Sequence, residues 1–162
     1  MQPSIAERFF FGRPYHPVAG DTVVPVVPRS GTALLGRILI AAIFLISGIA
    51  KLTDPAGTIG YMHQAGISHA DTLVYVAGIA ELAGGLGILF GFLTRLAALG
   101  LFVFLAIVQP YFHKFWGLPA EEAKNAMVQF FKDLSLMGGL LMLVAMGPGR
   151  YSLDAKMRRR AA

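Results

Sequence analysis

The sequence predicts an all-α integral membrane protein, a four-helix bundle with a proline-rich cytoplasmic N-terminal arm. Three observations predict it. Of 162 residues, 56% are hydrophobic and only 14% are charged, against about 25% charged in an ordinary soluble domain. Mean hydropathy is +0.63. The apolar residues also gather into four runs, each close to the roughly 20 residues that cross a hydrocarbon core about 30 Å thick as a helix.

The arm, residues 1–32, contains Pro3, Pro14, Pro17, Pro25 and Pro28, which oppose a helix. It lacks the continuous apolar stretch of a signal peptide. Phe9, Phe10, Phe11 and Tyr15 are costly to leave in water. The arm therefore reads either as a loose cytoplasmic segment or as the element that docks a protein partner.

The spans follow in order. The first is Ala33–Leu52, running into Thr53-Asp54-Pro55, where proline opposes continuation. The second is Thr72–Phe92, preceded by Ser68-x-x-Asp71, which resembles a capping box. The third is Thr94–His113, so close to the second that the two should form a tight antiparallel hairpin. The fourth, Ala126–Gly147, stops at Gly147-Pro148-Gly149. The four spans define a membrane domain over 33–154, and 155–162 reads as a basic C-terminal tail.

An even number of spans puts both termini on one side. That side carries Arg8, Arg13, Arg29, Arg37, Arg95, Arg150, Lys156, Arg158, Arg159 and Arg160, against Lys51, Lys114, Lys124 and Lys132 towards the other. Ten against four predicts cytoplasmic termini in a bacterial-type inner membrane. The net charge of +5 is then a topology signal. No aromatic and basic groove suggests nucleic acid. The chain has no cysteine, which excludes a structural disulfide, a thiolate metal or iron–sulfur site and a thiol nucleophile. Any redox chemistry must use a bound molecule or a partner.

The polar residues inside the spans are the candidate site. Glu81 lies among Ala77, Gly78, Gly84 and Gly85 on its helix face, a stripe of small residues that lets membrane helices approach. At 1.5 Å per residue it sits about 13 Å from the outer end of its span, near the midplane. Lys132 and Asp133 lie about 9–10 Å from the outer end of theirs. Lys51 reaches inward from the end of the first span, with Ser47 and Gly48 one turn away. Gln109 and His113, four residues apart, close the third. Lys51, Glu81, Gln109, His113, Lys132 and Asp133 therefore form an expected cluster in the outer half of the bundle. Its two lysines and two carboxylates balance, with Glu81 expected against Lys132 and Lys51 against Asp133. The cluster either lines a pocket or proton path or only locks the helices in register. Tyr111, Phe112 and Trp116 read either as interface anchors or as the aromatics of a pocket mouth. A b-type haem needs histidines on facing helices, and His113 alone lies in a span. His63 and His69 fall in the outer loop and His16 in the arm, so neither haem nor a metal site is expected.

Taken together, GIAKL (48–52), GIAELAGGLGILFGFLTRLAAL (78–99), FHKFW (112–116) and GGLLMLVAMGPGRYSLD (138–154) resemble, in order and spacing, the DoxX family of small four-helix membrane proteins. The resemblance covers roughly 33–154. One departure is Lys132-Asp133, where the family usually has Lys-Asn, so the bundle gains a carboxylate. The family takes its name from a subunit of a thiosulfate:quinone oxidoreductase. The resemblance therefore implies a membrane subunit of a quinone-linked redox complex, with quinone as the implied cofactor or substrate. It also implies contact with the bilayer and with a protein partner or a second copy. The alternatives are a small carrier or lipid-binding protein, and a purely structural scaffold. No nucleophile–base pair, phosphate loop or dinucleotide motif marks an autonomous active site, and the sequence assigns no catalytic residue.

Overall fold

A computed structural model of the chain describes residues 30–161, all of whose regular elements are helices. Most of the expected N-terminal arm, with its prolines and docking aromatics, lies outside the described residues. Helix α1 spans Ser30–Thr53, α2 Ala56–Gln64, α3 Ala70–Phe90, α4 Thr94–Phe112, α5 Ala120–Met146 and α6 Leu153–Ala161. Helices α1, α3, α4 and α5 are each long and apolar enough to cross a membrane. They make an all-α membrane bundle, as the four apolar runs predict.

The bundle is built in chain order. α1 packs along α3, α3 turns into α4 and α4 packs along α5, while α1 and α5 touch only lightly. Ala41, Phe44, Ile88, Ala98, Leu101, Leu105, Met137 and Leu140 form the central core. The opposite faces carry Leu39, Ile46, Ile79, Ile107 and Met142, each more than half exposed. In water such faces would be a large liability. In a bilayer they are the lipid-facing surface, because the hydrocarbon is as apolar as they are.

Close approach of α1 and α3 depends on glycine. A Cβ on Gly48 would stand 2.9 Å from the Gly78 carbonyl oxygen, and one on Gly78 would stand 2.9 Å from Leu52 Cδ2 and 3.2 Å from Lys51 Cβ. Both contacts are shorter than ordinary van der Waals packing. The two bare backbones thus make room for the stem of Lys51 to lie across α3.

Three local features differ from the sequence reading. First, Ser68 does not cap α3. The residue before the helix is His69, left-handed at φ 60°, and no side chain caps the end. Second, α5 begins at Ala120 behind Pro119, a turn and a half before the apolar run. Glu121, Glu122, Lys124 and Asn125 mask this end in hydropathy, but the acids favour it electrostatically, facing the positive pole of the helix dipole. Third, residues read as loop and tail form the short helices α2 and α6. In α2 only Met62 is buried. It packs with Ile59 and Ile67 against Ala70, Val74 and Phe112, so the helix follows from burial against its neighbours rather than from its Gly-containing sequence.

Candidate functional site

The expected cluster resolves into two stations at different seams of the bundle. At the α1–α3 seam, Lys51 Nζ stands 2.8 Å from Glu81 Oε2 and 3.1 Å from Oε1. Ser47 Oγ donates to Glu81 Oε1 at 3.2 Å, and Lys51 Nζ donates to Ser47 Oγ at 2.5 Å. The side chains are only 17% and 7% exposed. Every group here has its partner within the station. This corrects the expected pairing: Glu81 is held by Lys51, not by Lys132. Lys132 instead faces outward from α5 and donates to Gln129 Oε1 at 2.6 Å.

At the α4–α5 seam, His113 Nε2 lies 3.4 Å from Asp133 Oδ2, so Asp133 is not the partner of Lys51. One turn further in, Gln109 Nε2 donates to the Phe130 carbonyl oxygen at 2.7 Å. That bond ties α4 to α5 and satisfies an amide that is 5% exposed. The imidazole and carboxylate are 24% and 20% exposed. The imidazole lines an open cleft of about 460 Å³, together with Tyr61, Phe112, Glu121, Glu122, Asn125, Ala126 and Gln129, and Asp133 stands behind it outside that lining. Tyr61 stacks on Phe112 with ring centroids 5.0 Å apart and donates its hydroxyl to the Phe112 carbonyl at 2.9 Å. Helix α2 thereby supplies an aromatic wall. Of the aromatics expected at a pocket mouth, Phe112 lines the cleft. Tyr111 is exposed outside that lining, and Trp116 packs edge-on against Phe115 and Phe130 at centroid distances of 5.3 and 6.2 Å. Among the described residues no group of His, Asp and Glu is arranged to hold a metal ion.

Sequence reasoning passed over Tyr61, because α2 was read as loop. It also passed over the acids and amides of the first turns of α5, which stand before the apolar run. The i, i+3 pair Ile59 and Met62, flanked by Pro55 and Gly66, is the signal that could have found α2.

A third polar centre closes the opposite end of the bundle, where the α3–α4 turn meets the C-terminal segment. Asp154 Oδ1 accepts from Leu93 N at 2.8 Å. Its Oδ2 accepts from Thr94 N at 3.0 Å and from Thr94 Oγ1 at 2.8 Å, and Asp154 N donates to the Gly91 carbonyl at 2.9 Å. The carboxylate thus satisfies the first free donors of α4 in the manner of a cap. Arg37, counted from sequence as a topology charge, is 1% exposed and donates from Nη2 to the Tyr151 carbonyl at 2.6 Å. Gly91, at φ 67°, lies against its guanidinium and Ser152, so a Cβ has neither the backbone conformation nor the space.

Comparison with known proteins agrees with this architecture. The chain is 36% identical over 127 residues to the inner membrane protein YqjF of Escherichia coli, covering 78% of this chain and 92% of that one. It is 32% identical over 124 residues to the inner membrane protein YphA of the same organism, covering 76% and 88%. It is 35% identical over 140 residues to the uncharacterized membrane protein Rv3486 of Mycobacterium tuberculosis, covering 77% and 80%. No solved structure matches. The DoxX family model matches residues 32–114, from the first turn of α1 to Lys114 just beyond α4. With the four spans and the inner membrane relatives, these matches establish that the chain is a multi-pass membrane protein of the DoxX family.

Proposed function

We propose that this protein is a membrane subunit of a quinone-linked redox complex and that the cleft beside His113 receives the quinone head group. The observation that carries the reading is His113 on the cleft wall, backed from outside the lining by Asp133 at 3.4 Å. A quinone site needs an apolar slot with a few convergent polar groups. Here Tyr61 and Phe112 offer ring faces, and His113, Asn125 and Gln129 offer hydrogen-bonding groups. An imidazole backed by a carboxylate can donate to a carbonyl oxygen and pass a proton as that oxygen is reduced. Glu81 and Lys132 take no part: the first is committed to Lys51 and Ser47, the second faces outward. With no cysteine in the chain, electrons come from a bound molecule or from a partner protein. In this reading both termini are cytoplasmic, supported by the ten-to-four distribution of lysine and arginine. The cleft then opens towards the outer leaflet.

The test is purification in mild detergent followed by extraction and mass spectrometry of bound quinone. The wild type is expected to carry quinone in near-stoichiometric amount. His113→Ala is expected to retain roughly tenfold less, the effect of losing one hydrogen bond to a chargeable group. A quinone-free wild type, or equal occupancy in the variant, overturns the reading.

A further inference from the structure

The segment from Leu153 to Ala161 is a helix held in one place, and its outward face mixes exposed apolar and cationic side chains. Its first turn is pinned: Asp154 bonds the α3–α4 turn through three acceptor contacts and one donor contact, and Arg37 holds the Tyr151 carbonyl just before it. Asp154 and Ala155, the buried residues, set the inward side. Leu153, Lys156, Met157 and Arg160, at i, i+3, i+4 and i+7, share a stripe that points away from it. All four are exposed, Leu153 by 43% and Met157 by 41%. Two apolar side chains alternating with two cations along the stripe make the face of a helix that lies in a membrane interface, with apolar groups dipping below the phosphates and cation stems snorkelling up to them. The anchor point adds the location. The turn at Gly91–Thr94 joins two membrane spans, so it stands at the boundary of the hydrocarbon. A helix bonded to that turn begins at headgroup level.

We infer that α6 is an interfacial helix that binds the headgroups of anionic phospholipids through Lys156 and Arg160, with Leu153 and Met157 inserted beside them. Charge complementarity selects the lipid. Exposed Arg150 and Arg159 add to the same field, and basic residues at a surface of anionic lipid each strengthen binding about fivefold. The pinned first turn spares the helix the ordering cost that a free tail would meet on binding. This inference does not depend on the quinone reading, since it concerns the opposite end of the bundle.

The test uses the full chain. In detergent with equal phosphatidylglycerol and phosphatidylcholine of matched acyl chains, native mass spectrometry reads which lipid stays bound. The wild type is expected to prefer phosphatidylglycerol at least fivefold, and Lys156→Gln with Arg160→Gln to lose most of that preference. Lys114→Gln with Lys124→Gln removes the same charge at the other end of the bundle and is expected to leave it intact. A second measurement reads position. With Trp116→Phe removing the single native tryptophan, Met157→Trp in vesicles containing brominated phospholipid is expected to be quenched. No lipid preference in the wild type overturns the inference. So does an equal loss in the Lys114/Lys124 variant, which marks a bulk-charge effect, or an unquenched Trp at 157, which marks a helix turned to water or to a soluble partner.

Discussion

The α1–α3 seam and the α4–α5 seam each join two membrane helices through one carboxylate and one nitrogen base, yet they are built for different ends. At the first, glycine brings the backbones together, Lys51 lies across the gap, and Glu81 is 7% exposed with Ser47 and Lys51 as partners. At the second, the pair is longer, at 3.4 Å, about three times as exposed on the carboxylate, and its imidazole is on the wall of a cleft. A closed pair holds position because breaking it strands a charge in a medium without water. An open pair gives up most of that stabilisation to solvent but keeps a group that a ligand can reach. One polar cluster in the sequence thus divides into a lock and a candidate binding site.

The largest expected effect tests the lock. Glu81→Gln leaves the Lys51 ammonium without its counter-charge and is expected to cost about 3–5 kcal/mol, lowering Tm by roughly 10 °C. Adding Lys51→Met should recover most of that loss, because no charge is then stranded. Additive losses in a thermal-shift double-mutant cycle would dissolve the pair. A smaller effect tests the close approach beneath it. Gly48→Ala pushes a methyl group against the Gly78 carbonyl and is expected to cost about 1–3 kcal/mol by forcing the helices apart. A fully stable Gly48→Ala would mean that the seam is looser than its glycines require. The smallest effects belong to the open seam. Asp133→Asn is expected to change stability by less than about 1 kcal/mol, while lowering quinone retention if the cleft is the site. Lys132→Met, which removes an exposed bond to Gln129, should stay within about 0.5 kcal/mol. A large loss from Lys132→Met would restore it as a partner for Glu81 and erase the contrast between the two seams.

The spans, their order and the hairpin of α3 and α4 follow from apolar runs of bilayer length. Such runs have few alternatives in a chain whose backbone must bond to itself in lipid. Charges among twenty apolar residues stand out for the same reason, although Lys132, expected in the cluster, is exposed on α5 and bonds Gln129. Glu81 could be assigned to the bundle side from its small-residue stripe. Asp133, by contrast, could be weighed only as an extra charge, and its proximity to His113 was not foreseen.

The sequence by itself determined that this is a four-span membrane protein with a polar layer between its helices, because hydropathy and helical rise are properties of each segment alone. Only the tertiary structure decided who meets whom. Lys132 and Asp133 are neighbours about 100° apart on one helix, so at most one can face a given seam, and the rotation of α5 against α4 turns Asp133 towards His113 and Lys132 outward. Depth alone allowed either lysine to reach Glu81. The packing of α1 on α3 across Gly48 and Gly78 chose Lys51. The same holds at the other end, where Arg37 and Asp154 lie 117 positions apart in the chain and share one turn of α3–α4 only once the bundle has closed.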